Sequence, residues 1–128
     1  MCLLVVMGGS DTRPRDVPRI LAVHREQGRW WSSRRFRIAA AGAPVVAKVA
    51  GVKELWITGV VEDGTPLQER HPEHPDLFRY AYRVAWAEPA RRGVPVASVL
   101  GEGAVRARQM IRLSREDHDA AYEALHGP

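Results

Sequence analysis

The sequence predicts an α+β fold, a small mixed β-barrel of about five to six strands with helices near the N- and C-termini. Three observations carry this reading. Apolar and β-branched runs fill the middle of the chain, helical periodicity with capping residues is confined to its two ends, and strand segments follow one another without the crossover helices of a doubly wound sheet. A length of 128 residues suits one domain spanning 1–128, enough for one core and too little for two.

Leu3 to Met7 is a continuous apolar run cut short by Gly8-Gly9-Ser10-Asp11, the pattern of a central strand buried on both faces. It has no basic leader and is too brief for a signal peptide or a membrane span. Asp16 opens a helix whose first turn accommodates Pro18; Val17, Ile20, Leu21 and His24 share one face, and Gly28 ends it. Past Trp30-Trp31 and the basic stretch Arg34-Arg35-Phe36-Arg37, Val45 to Val49 and Leu55 to Val61 read as two strands joined through Gly51. Three prolines between Thr65 and Asp76 leave a polar loop with no room for a helix. In the next strand Tyr80, Tyr82, Val84 and Trp86 alternate with Arg79, Ala81, Arg83 and Ala85, a period of two that sets an aromatic face toward the core. Pro95 to Leu100 is expected to make one helical turn, broken by Gly101-Glu102-Gly103, and Met110 to Leu113 to add a last strand. Ser114 with Asp117 three residues on resembles a capping box, opening a helix that carries His118, Ala121, Tyr122 and Leu125 on one stripe.

The 19 basic residues exceed the 15 acidic ones, for a formal charge of +4, and all but two of the basic residues are arginine. Arginine offers a planar fork of donors suited to phosphates and base edges, so an anionic partner such as DNA or RNA is expected. The single cysteine, Cys2, excludes an intrachain disulfide and favours a reducing, cytoplasmic setting.

Arg34, Arg35 and Arg37 beside the tryptophans form the best phosphate-steering cluster, since basic residues interleaved with aromatics are what a single-strand or flipped-base site requires. Arg106 and Arg108, ahead of the last strand, are placed to meet a phosphate or base edge, and Gln109 adds both donor and acceptor capacity. His71-Pro72-Glu73-His74-Pro75-Asp76 holds two imidazoles and two carboxylates, but its prolines forbid the helix that would align them, and an exposed loop is the stronger reading. Gly8-Gly9-Ser10 lacks the later glycines of a dinucleotide fingerprint and the Gly-Lys-Ser/Thr of a P-loop. No catalytic triad, metal site or cofactor is indicated.

The order of segments resembles that of EVE domains of the PUA-like superfamily, whose structural relatives are YTH and ASCH domains. The resemblance rests on the first strand ending in Gly-Ser-Asp, the helix after it, Gly28-x-Trp30, and Ile57-Thr58-Gly59-Val60-Val61-Glu62. It continues through Phe78-Arg79-Tyr80-Ala81-Tyr82-Arg83-Val84 and Arg108-Gln109-Met110-Ile111-Arg112-Leu113-Ser114-Arg115-Glu116-Asp117, so it spans nearly the whole chain. It implies a PUA-like pseudo-barrel with an aromatic-lined pocket that accepts a flipped, modified base such as 5-methyl- or 5-hydroxymethylcytosine. By family position Trp30 or Trp31 supplies the stacking platform, one of the pair facing inward and the other open, and Ser10 offers a polar contact. Trp56, mainly a core residue, is the other tryptophan placed to reach a pocket. The chain departs from the family at Gly42-Ala43 and Val46-Ala47-Lys48-Val49, where a Gly-Asp and an aromatic-bearing strand are usual, so one pocket wall is expected to differ from the family's. Two other readings stand beside this non-catalytic reader: an ASCH-like amidohydrolase acting on modified nucleosides with Lys48 and Glu54 as base and acid, and a protein-interaction or dimerisation module.

Overall fold

The computed structural model describes residues 1–38 and 40–127. Seven strands form one mixed sheet: β1 (Cys2–Met7), β2 (Arg29–Ser32), β3 (Pro44–Val49), β4 (Glu54–Leu67), β5 (Tyr80–Trp86), β6 (Val94–Pro95) and β7 (Met110–Leu113). Their order is β2-β5-β4-β3-β1-β7, with β6 paired to β4. Only β1 and β3 run parallel, Leu3 opposite Val45 and Met7 opposite Val49; the other pairings are antiparallel. The helices are α1 (Val17–Gln27), the short α2 (Val96–Leu100) and α3 (Glu102–Val105), and α4 (Arg115–His126).

The apolar run at the start becomes the buried centre, because its period of two supplies both faces. Leu3, Val5 and Met7 join Val45, Ala47, Val49, Ile57, Trp30, Tyr82 and Val84 beneath Val17 and Leu21 of α1. Cys2 and Leu4 turn the other way and meet Val46, Leu55, Val96, Ala104 and Ala121, under α2, α3 and α4. A third, smaller cluster holds Val23, Trp31 and Ala81, with Leu67 and Phe78 against it.

Local chemistry sets the element ends. Gly28, at φ 61°, closes α1 in the left-handed conformation that disfavours side chains, and the Ser114 hydroxyl accepts the Asp117 amide at 3.0 Å to cap α4. Gly8 also has a positive φ, 76°, and a Cβ there would come within 2.8 Å of the Thr12 hydroxyl. The turn after β1 can therefore fold back tightly only with glycine at this position.

Two expectations change. Trp30-Trp31 lies in a strand, β2, and the two-residue β6 precedes the helical turn, so the described residues form seven strands where about five to six were expected. The sheet is also open, its path ending at β2 and β7. Gln109 ties those ends without a ladder: its Oε1 accepts the Ser32 hydroxyl at 2.7 Å, its amide contacts the Ser33 hydroxyl, and its backbone carbonyl accepts the Val6 amide at 2.9 Å. No helix among the described residues is long and apolar enough to cross a membrane.

Candidate functional site

A cavity of about 360 Å³ opens where the end of β1, one face of α1, β2 and the loop 68–79 meet. From α1 it takes Arg19, Ile20, Val23 and His24, a spacing that puts four side chains on one side of the helix. The turn after β1 adds Gly8, Gly9 and Asp11, β2 adds Trp31, and the loop closes the far side with His71, His74, Leu77 and Phe78. The loop can do this because His71 is itself a structural node: its backbone amide donates to the Phe78 carbonyl at 2.9 Å, and its Nδ1 accepts the amides of Glu73 at 3.0 Å and His74 at 3.2 Å. Arg19 Nε donates to the Glu73 carboxylate at 2.8 Å, joining helix to loop beside the cavity.

Five rings stand in the lining, beside the carboxylates of Asp11, Asp16 and Glu73. His24 meets Trp31 edge-on at 5.1 Å between centroids and His71 at 6.0 Å. Trp31 and His71 are 4.5 Å apart, and His71 continues to His74 at 5.2 Å and Phe78 at 5.7 Å. His24 is 3% exposed and His71 6%. Burial, the largest cause, pushes His24 down to about 4, against a hydrogen bond to the Ile20 carbonyl that acts the other way. Burial likewise lowers His71, with the neighbouring His74 adding to the shift. Both imidazoles are neutral at pH 7.

The tryptophan expectation is corrected. Trp30 is fully buried, stacked beside Tyr82 at 5.2 Å with its indole Nε1 donating to the Val6 carbonyl at 2.9 Å; it is core and offers nothing to a ligand. Trp31 points to the opposite face, as the next residue of a strand must, yet it too is only 2% exposed, because Phe78 and Leu67 pack over that face. It forms the back wall of the cavity instead of an open platform, and its Nε1 has no hydrogen-bond partner. Trp56 is half-buried and faces a separate hollow of about 350 Å³ with Val17, Pro18, Leu21 and Pro89, on the other side of α1.

Of the other candidates, Ser10 is exposed in the turn between the lining residues Gly9 and Asp11 but does not itself line the cavity. Arg34, Arg35, Arg37, Arg106 and Arg108 are exposed and also lie outside the lining. The Ser33–Gln109 contact nevertheless brings their two segments together, with Arg34 and Arg108 next in sequence to the touching residues. Gln109 is spent on Ser32 and Ser33, so its amide is a fastener between segments and not a free reader. Lys48 is 3% exposed, its Nζ donating to the carbonyls of Ala104 at 2.9 Å and Val105 at 2.5 Å. Burial lowers its pKa, and the amine is committed to the end of α3. No group of three or more His, Cys, Asp or Glu side chains is arranged to hold a metal among the described residues.

Sequence reasoning placed His24 on the apolar stripe of α1 and His71 in an exposed loop, and missed that they meet. A histidine at a core position of α1 was the one available signal.

No family model matches the chain, and no curated protein matches it. It is similar to the solution structure of Rpa0253 from Rhodopseudomonas palustris, with a TM-score of 0.58 over 96% of this chain and 91% of that one, at 10% sequence identity. That likeness is one of fold.

Proposed function

We propose that this chain is a non-catalytic nucleic-acid reader of the EVE, PUA-like type, which takes one flipped base of DNA or RNA into the cavity between α1, β2 and the loop 68–79. The observation that carries the reading is the cavity itself: about 360 Å³ walled by Trp31, His24, His71 and Phe78. Specific pockets of roughly 300–1,000 Å³ with apolar and aromatic walls and few polar groups suit small ligands, and this one is at the small end, suited to one planar heterocycle. Aromatic grooves repay the unstacking of a base with about 1–3 kcal/mol each.

Two further observations support it. Gln109 links the ends of an open sheet beside Val6, a cavity-lining residue, a contact in keeping with the pseudo-barrel of this reading. The same contact gathers exposed arginines from the segments 34–37 and 106–108, and arginines outside a base pocket serve to hold the backbone and set the salt dependence. A modified base such as 5-methyl- or 5-hydroxymethylcytosine is the ligand the EVE resemblance suggests.

The experiment is a titration of the full chain with short DNA and RNA oligonucleotides, modified and plain, at two salt concentrations, followed by tryptophan fluorescence. Trp31→Phe should weaken binding several-fold in a base-dependent way, and Arg34→Ala should weaken all sequences alike and flatten the salt dependence. Binding that is purely salt-dependent and indifferent to both base identity and Trp31→Phe would refute the reading.

A further inference from the structure

The two buried histidines have fixed and opposite hydrogen-bonding roles. The Ile20 carbonyl, 2.8 Å from His24 Nδ1, can only accept, so Nδ1 carries the ring proton and Nε2 is left with a lone pair. His71 is the reverse: Nδ1 accepts two backbone amides and must be bare, so Nε2 carries the proton. The hydrogen bonds that fix both rings run through Nδ1, both rings line the cavity, and their centroids are 6.0 Å apart. One ring with a bare Nε2 and one with a protonated Nε2 therefore line the same small cavity.

Resting on the base-binding reading, we infer that His24 and His71 form an edge reader that selects a neutral base presenting a donor and an acceptor side by side, with its Watson–Crick ring nitrogen unsubstituted. The amidine edge of cytosine or adenine and the lactam edge of uracil or guanine meet this requirement. A methyl group on that ring nitrogen removes one member of the pair, and in 3-methylcytosine and 1-methyladenine it also adds a positive charge. Substituents at carbon 5 leave the edge intact. The other charged or titratable side chains lining the same cavity are His74, Glu73, Asp11 and Asp16, with Arg19 paired to Glu73. The tautomers are set by backbone groups of α1 and of the loop itself, so the polarity of the edge is built into the fold and does not wait for a ligand.

The test uses the full chain at pH 7 with cytidine, uridine, guanosine and adenosine, 5-methylcytidine, and the ring-nitrogen methyl forms 3-methylcytidine, 3-methyluridine, 1-methylguanosine and 1-methyladenosine. A site built around a hydrogen bond rejects the analogue that lacks it strongly, so the parent that binds best should exceed its ring-methylated form by at least about tenfold. That ratio should collapse toward unity in His24→Asn and His71→Asn. Asparagine can reproduce the Nδ1 contact of each histidine, to Ile20 in one case and to the Glu73 and His74 amides in the other, and removes the far half of the ring, Nε2 included. Urea midpoints of both variants check that the loop and helix remain folded; if either is unfolded, the wild-type parent-to-methyl ratio alone decides. Equal binding of parent and ring-methylated forms would overturn the edge reader and leave base occupancy standing. Failure of every nucleoside and oligonucleotide to bind would remove the base-binding reading, and the inference with it.

Discussion

Acid should destabilise this protein over a window set by His24. The ring is 3% exposed and packs edge-on against Trp31 and Trp86; burial, the dominant cause, places its folded-state pKa at about 4 against an ordinary 6.5. Between these values the unfolded chain holds a proton that the folded chain refuses, so stability is full above pH 6.5 and falls as the pH drops toward 4. At about 1.4 kcal/mol per unit the whole window is worth about 3 kcal/mol, of which about 2 kcal/mol is lost between pH 6.5 and 5. That upper part lies above the usual carboxylate range, where Glu73 and Asp63, both held low by hydrogen-bonding partners, lose their own contributions. His71, lowered chiefly by burial, adds loss of the same sign. Urea unfolding at pH 7.5, 6.5, 5.5 and 5.0, with the slope held common, measures the effect. His24→Phe should flatten the curve by most of that 2 kcal/mol, at the expense of about 1 kcal/mol at pH 7.5 for the lost hydrogen bond to Ile20. Parallel pH curves for wild type and variant would refute the assignment of a neutral, buried His24.

Two other outcomes test the fold that positions the cavity. Lys48→Met leaves the Ala104 and Val105 carbonyls without their ammonium donor and should cost about 1–3 kcal/mol in urea unfolding, with oligonucleotide affinity unchanged and no turnover of acylated cytidine by either protein; turnover by the wild type that is lost in the variant would favour the hydrolase reading. Gln109→Ala unties β2 from the segment before β7 and should cost about 1 kcal/mol, seen by hydrogen exchange as faster exchange of the Ser33 amide, which donates to Gln109 Oε1 at 3.4 Å, with the interior of β4 unaffected.

Much of the architecture is legible because it follows from short-range rules. The apolar run 3–7, the alternation through 80–86, the left-handed Gly28 and the Ser114 cap each announce an element without reference to distant residues, and each occupies its expected place. The seven-stranded open path is less legible, since Trp30-Trp31 carries too few residues for a period to emerge and β6 has only two. The cavity is the least legible part. Alternation correctly sends Trp30 and Trp31 to opposite faces, but it cannot say that a proline-rich loop with no periodicity will fold back and bury the second face through Phe78 and Leu67. His24 and His71 are brought together by that same loop, whose anchor is a ring nitrogen accepting two backbone amides, a contact with no signature in composition or spacing. The segments that carry Arg34 and Arg108 are likewise joined through a glutamine that reads as a ligand contact and serves as a fastener.

The account stands on occupancy of the space between α1 and the loop 68–79 by a planar base. Isotope-filtered NMR on the full chain with the tightest-binding oligonucleotide measures this directly. The account expects contacts from base protons to the rings of His24, His71 and Phe78, with shifts at Trp31 Nε1. Contacts confined to the hollow beside Trp56, or to the exposed arginines with the cavity signals unmoved, would contradict it.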